Sequence, residues 1–349
     1  VPPAPVEGLV GLTPDQQRRR RVADELAEFG MVESLSYPFV GDDDYKAFGF
    51  DPEATKKVSV EIANPLYGDR PYLRREILPT LATTVQRNIR RGIENVSLYE
   101  LGHVYLWDPN APVIPALPGG VRPTDEQLAA LDAGLPEQPD HVAGILTGLA
   151  EDDGWMGGKR PVDWSDAVEA VRRIAGRIGA AIELDQPAAD DVPVQWHPGR
   201  AARVMVGDVF TGWVGELHPR VNEALGFPAH SAAFELNLTA LFATLTGKPV
   251  QAKPISTFPP VKQDLAFTVS TDVTAAELKQ VIVDAAGSSL ESIELFDVYT
   301  GAPIPAGYKS VAFSLTLRAD DQTLTDDHAE ETMQSVLKAL KETFNATIR

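Results

Sequence analysis

The spacing of apolar positions divides the chain into helical and alternating stretches. Val22, Leu26 and Phe29 recur at helical intervals behind Thr13, Pro14 and Gln16, which form a capping signal, and Gly30 supplies a stop. Val32–Val40 reads as a strand containing Pro38, and Val58–Ala63 as another ending at Asn64-Pro65. Leu78, Leu81, Val85 and Ile89 mark a second helix, with Arg87, Arg90 and Arg91 together on one side. Glu94–Leu106 is rich in strand formers, and His141–Ala150 has the apolar run of a buried strand. Between them, Asp108–Asp140 is rich in Pro, Gly and acids and reads as an inserted loop, with a short helix over Thr124–Leu131.

Downstream, Val168, Val171, Ile174, Ala175 and Ile178 share one face of a helix over Trp164–Ile178. Ala202–Val206 and Phe210–Val214 flank Gly207-Asp208, a hairpin turn, and Phe234–Leu238 is a further strand. Strands joined by short turns, with helices placed irregularly, indicate an α+β class built on an antiparallel sheet. Residues 247–254 turn to linker composition, and a separate module over 255–349 follows. It carries a strand at Asp264–Ser270, a helix capped by Thr274 and Glu277, and strands at Glu291–Tyr299 and Tyr308–Arg318. A helix capped by Thr325 and a final strand at Ala346–Arg349 complete a ferredoxin-like βαββαβ order.

Alternation gives this last module one open face. Leu265, Phe267 and Val269 point one way, as do Val311, Phe313, Leu315 and Leu317, which leaves Ala266, Ser310, Ala312, Ser314 and Thr316 on the other. Asp297 and Tyr299 close the middle strand. Small residues leave room for a flat ligand, a tyrosine stacks on it, and a carboxylate accepts from base amines. An ordinary solvated face with a structural tyrosine fits the same pattern.

Charge limits how such a surface holds RNA. The 349 residues carry 31 Lys+Arg against 50 Asp+Glu, a formal net charge of −19. A chain this acidic is repelled by phosphate. Residues 255–349 alone hold 7 Lys/Arg and 14 Asp/Glu, 7 − 14 = −7, so RNA bound there is anchored chiefly elsewhere. The absence of cysteine excludes disulfides and thiolate metal sites and fits a reducing cytoplasm. No apolar run reaches the roughly 18 residues of a membrane span, so no membrane role is expected. The six histidines lack metal-ligand spacing, and no P-loop or Gly-x-Ser-x-Gly occurs. The opening Val-Pro-Pro-Ala-Pro reads as a linker over 1–12 within a longer polypeptide.

The segment KPISTFPPVKQDLAFTV, with LESIELFDVYTGAPIPAGYKSVAFSLTLRADDQTLTDDH after it, closely resembles the ferredoxin-fold anticodon-binding domain ending the β subunit of bacterial phenylalanine–tRNA ligase. NPLYGDRPYLRREILPTLATTVQRNIRRG, SLYELGHVY, WHPGRAA and GELHPRV are similar to that subunit's catalytic-like domain, which the resemblance extends over 13–246. It implies a class II aminoacyl-tRNA synthetase-like core without its chemistry, working in an (αβ)₂ heterotetramer. The α subunit of that family holds the ATP and phenylalanine site, and the complete enzyme uses ATP and Mg²⁺. The stretch from Arg18 to Pro38 resembles the class II interface motif. The positions that the family sets against the anticodon of tRNA-Phe correspond to Ala266, Asp297, Tyr299 and Ser310. Lys262-Gln-Asp-Leu-Ala266 departs from the family's usual Arg-Arg-Asp-Leu-Ala, which weakens any basic contact there. No metal or editing residue is expected in this chain.

Class II adenylation needs an arginine on a hairpin to neutralise the α-phosphate. Tyr105-Leu106-Trp107-Asp108 has each element of that pattern except the arginine. Arg74-Arg75-Glu76 fits Arg-x-Glu but lies at the start of a helix-like segment, where surface or interface arginines are the plainer reading. Arg220 after Gly212-Trp-Val-Gly215 echoes the second arginine weakly, and His197-Pro-Gly-Arg200, in a turn before a strand, reads as structural or interfacial. Catalytic residues are therefore expected to be absent. Three roles stay open on the sequence: an inactive scaffold that also reads an anticodon, a lone adenylate-forming enzyme using Arg74 or Arg220, and a scaffold that never touches RNA.

Overall fold

The computed structural model describes residues 11–155, 157–245, 251, 255–319 and 322–348. They fall into two compact units, divided between Val250 and Gln251. Apart from Gly11, Leu12 and Gln251, the linkers expected at 1–12 and 247–254 lie outside the described residues.

Unit one opens with α1 (Pro14–Glu28), β1 (Val32–Glu33), β2 (Phe39–Val40), α2 (Asp42–Ala47), α3 (Pro52–Lys56) and β3 (Tyr72–Leu73). It continues through α4 (Leu78–Ile89), β4 (Val96–His103), α5 (Asp125–Ala133), β5 (Asp140–Thr147), β6 (Leu149–Glu151) and β7 (Arg160–Pro161). α6 (Trp164–Ile178), β8 (Glu183–Asp185), β9 (Trp196–Val206), β10 (Val209–Leu217), α7 (Pro219–Leu225), β11 (Ala232–Asn237) and α8 (Leu238–Ala243) complete it. Its main sheet has seven strands in the order β1-β4-β5-β11-β10-β9-β8. β1 runs parallel to β4, and the other neighbours are antiparallel.

The period of two along these strands sorts the core into two layers. Tyr99, Leu101, Val142, Phe234 and Leu236 pack with Val22 and Leu26 of α1 and Val171 and Ile174 of α6. Their opposite-facing neighbours Leu98, Ala143, Ile145 and Ala233 pack with Leu81 and Val85 of α4. Burying a Leu, Ile or Val contributes roughly 1.5–3 kcal/mol, so both faces of the sheet gain by being covered. The helix ends follow local chemistry. Thr13 and Gln16 form a reciprocal capping box on α1, and Gly179, at φ 77°, closes α6 in the left-handed conformation.

Several sequence expectations are corrected. The strand expected over Val32–Val40 is two short ones in different sheets, because Pro38 offers no N–H to a ladder. Val58–Ala63 contributes one bridge, Glu61 with Tyr72, rather than a strand. The acid-rich Asp42–Asp44 opens α2, an unforeseen helix whose first turn gains from negative charge. Phe234–Leu238 ends one residue early, since the Asn237 side chain accepts from Ala240 N–H and starts α8. His197–Arg200 lies inside β9, not in a turn before it.

Unit two comprises β12 (Val261–Ser270), α9 (Ala275–Ala286), β13 (Leu290–Tyr299), β14 (Tyr308–Leu317), α10 (Asp326–Phe344) and β15 (Thr347–Ile348). Its sheet order is β13-β14-β12-β15, and every pairing is antiparallel. Phe267 and Phe313 stack at 6.1 Å and join Leu278 and Ile282 of α9 with Val336 and Leu340 of α10 in one core. Both helices lie on one face of the sheet, and the mixed α+β architecture is that of a ferredoxin fold.

Candidate functional site

The other face of the unit two sheet is organised in rungs centred on β14. Ser310 lies between Thr268 of β12 and Tyr299 of β13, and Ala312 between Ala266 and Asp297. The four residues expected from the sequence, Ala266, Asp297, Tyr299 and Ser310, therefore occupy two adjacent rungs. A bulge between Leu295 and Asp297 restores their common face, for Leu295 pairs with Phe313 on the helix side while Asp297 pairs with Ala312. Simple alternation along β13 gives no sign of this insertion. Beside it Phe296 is 57 % exposed, an aromatic the sequence reading passed over. Ser310 and Ala312 are buried despite facing away from the helices, because small side chains in a central strand sit below their neighbours.

Tyr299 is held in place. Its hydroxyl donates to the Ala302 carbonyl at 2.9 Å, and a Cβ on Gly301 would stand 2.6 Å from ring carbon Cζ. The ring thus rests against Gly301, with 42 % of the residue exposed. One rung further along, Ser314 is flanked by Asp264 and Glu294, both exposed. Two carboxylates there repel a phosphate chain and favour a base edge over a backbone at this end of the face.

Unit one presents a second site, on the α4 side of its sheet. A cleft of about 330 Å³ is lined by Glu76, Leu106, Gln195, Phe210, Trp213 and Glu235, among others. Leu106 is fixed there by two backbone hydrogen bonds to Glu137, at 2.9 and 3.2 Å, and its side chain packs against the α4-side core. It supplies no donor. Arg74, 3 % exposed, pairs with Glu100 at 2.6 Å and donates to Thr80 Oγ1 and the His103 carbonyl, each at 3.0 Å. A Cβ on Gly102 would lie 2.2 Å from Arg74 Nη2, so this glycine makes room for the guanidinium. Arg74 is thus neither a surface residue nor a phosphate ligand. Arg220 lines another cavity, with Lys46 and His218. Gly212 serves strand approach, since a Cβ there would meet the Glu235 carbonyl at 2.1 Å. Arg200, inside β9, pairs with buried Glu216 at 2.8 Å, a structural tie between β9 and β10.

Within the cleft, Glu235 accepts from Ile77 and Leu78 N–H at 2.9 and 3.1 Å and lies 2.8 Å from His141 Nδ1. It caps α4 in place of a local side chain. Glu76 is pushed up to about 8 by burial and then by the neighbouring Glu235 charge, with Arg75 opposing. Among the described residues, no group of three or more His, Asp or Glu is arranged to hold a metal ion. No described helix is long and apolar enough to cross a membrane.

Two family models account for most of the chain. The phenylalanyl tRNA synthetase beta chain CLM domain matches residues 1–238, and the ferredoxin-fold anticodon binding domain matches residues 256–349. A phenylalanine–tRNA ligase beta subunit from Bifidobacterium longum is 88% identical over 337 residues, covering 97% of this chain and 39% of that protein. The corresponding subunit of Thermobifida fusca is 40% identical over 344 residues, covering 97% of this chain and 41% of its own length. The chain thus spans about two fifths of the curated relatives it matches. With an α+β unit matched by the beta chain CLM domain, and a ferredoxin-fold unit with an open sheet face, the chain belongs to the phenylalanine–tRNA ligase β subunit family.

Proposed function

We propose that this chain is the non-catalytic scaffold and anticodon-reading part of a phenylalanine–tRNA ligase β subunit. It supports ATP-dependent attachment of phenylalanine to tRNA-Phe in the cytoplasm, within an (αβ)₂ heterotetramer whose α subunit carries the ATP, Mg²⁺ and phenylalanine chemistry. The observation that carries the reading is the pair of rungs joining Ala266, Asp297, Tyr299 and Ser310 around a braced, half-exposed tyrosine. On this reading Tyr299 stacks on a base and Asp297 accepts from its amine, while Ala266 and Ser310 keep the face low enough for the ring to lie flat. The need for a partner is supported by Val32, Leu35 and Tyr37, which are 62%, 92% and 71% exposed on one short segment.

The test is Tyr299→Ala in the reconstituted tetramer. Loss of one base–aromatic stack, worth about 1–3 kcal/mol, raises KM for tRNA-Phe roughly 5- to 150-fold and leaves phenylalanine-dependent ATP–pyrophosphate exchange unchanged. An unchanged KM for tRNA would remove the anticodon assignment.

A further inference from the structure

The unit one cleft carries chemistry that the scaffold role leaves unused. Glu235 is fully engaged by α4 and His141. Among the described residues, Glu76 beside it accepts only two long contacts from Gln195 Nε2, at 3.3 and 3.4 Å. Gln195 is 4% exposed, and its Oε1 has no hydrogen-bond partner among the described residues. Arg75, the nearest cation, donates to the Val58 carbonyl. The cleft therefore holds acceptor capacity that no donor among the described residues uses, and a buried acceptor without a donor costs about 1–3 kcal/mol. Its wall is aromatic: Phe210 and Trp213 meet edge to face at 6.1 Å, and Phe210 is 47% exposed.

We propose that this cleft binds a small organic ammonium with a flat apolar body, its N–H donors taken by the Glu76 carboxylate and Gln195 Oε1 and its body lying against Phe210 and Trp213. The charge sign follows from the lining. The lining sets Glu76 and Glu235 against Arg75 and His141. Arg75 is engaged by the Val58 carbonyl and His141 by Glu235, which leaves the Glu76 carboxylate, once ionised, as the charge without a close partner, and the aromatic faces attract a cation. The volume, about 330 Å³, lies at the small end of ligand pockets. Binding is linked to a proton. The titratable and charged groups facing Glu76 are Glu235, Arg75 and, through Glu235, His141; burial and then the Glu235 charge, with Arg75 opposing, keep Glu76 protonated up to about pH 8. An ammonium favours the ionised carboxylate, so affinity rises about tenfold per pH unit on approaching that value from below and levels off above it.

Tryptamine is a suitable probe, titrated calorimetrically into the full chain at pH 6 and pH 8, with indole-3-propionate as the anion of similar shape. The measurement needs neither tRNA nor a partner subunit, so its outcome is separate from that of the anticodon reading. Saturable tryptamine binding at least tenfold tighter at pH 8, with none of the anion, is expected. Glu76→Gln keeps the shape of the protonated acid and is expected to fold, while lowering the pH 8 affinity at least tenfold. Phe210→Ser, at a half-exposed position, tests the aromatic wall independently and is expected to weaken binding several-fold. Absence of saturable tryptamine binding at pH 8, equal binding of the anion, or full affinity in both variants would overturn the proposal.

Discussion

Arg74 shows how one side chain changes meaning between sequence and structure. In sequence, Arg-x-Glu is indistinguishable from a phosphate-binding pattern, and the neighbouring helix suggests an exposed residue. In the fold its guanidinium is held by Glu100, Thr80 and the His103 carbonyl, and Glu100 is itself 0% exposed. Arg74→Met leaves that carboxylate buried without its cation, so the variant is expected to lose about 3–5 kcal/mol in urea unfolding. Adding Glu100→Leu to it should recover part of the loss, because the uncompensated charge is then gone. A single variant as stable as the parent would show the pair to be dispensable. The sequence carries one hint of the arrangement: a glycine at 102, in an otherwise bulky strand, where a neighbouring group needs the space.

At the scale of elements, long periodic stretches and reciprocal caps were readable from the residues. Trp164–Ile178 appears as the apolar face marked it, and Thr274 with Glu277 caps α9 as the spacing required. Two-residue strands and single-turn helices were not readable, because they rest on tertiary neighbours rather than on a period of their own. The β13 bulge belongs to this group. So does the loop after β13, in which Gly301 underlies the Tyr299 ring. Gly301→Ala pushes a methyl group into that ring while the loop stays on the surface. The expected result is a stability change within about 0.5 kcal/mol, with KM for tRNA-Phe in the reconstituted tetramer raised several-fold and kcat little altered. An unmoved KM would mean that the ring needs no such support.

For the whole molecule, a net charge of −19 and an exposed apolar segment at Val32–Tyr37 pull in opposite directions. Like charge keeps copies apart, and desolvation of Leu35 and Tyr37 draws them together. Without its proposed α partner the chain is expected to self-associate at micromolar concentration and more strongly as salt screens the charge, which sedimentation velocity measures directly. A monomer at every salt concentration would place the partner surface elsewhere. The acidic rung of Asp264 and Glu294 limits the molecule in a further way. It leaves the Ser310 and Ala312 rungs as the open span, about 7 Å of strand, enough for a single splayed base. On the proposed reading this sheet spells one letter of its RNA. A hydrogen-bonded letter carries about 1–3 kcal/mol of discrimination, far short of naming one tRNA among all those in a cell, so the rest of the word is read elsewhere in the assembly.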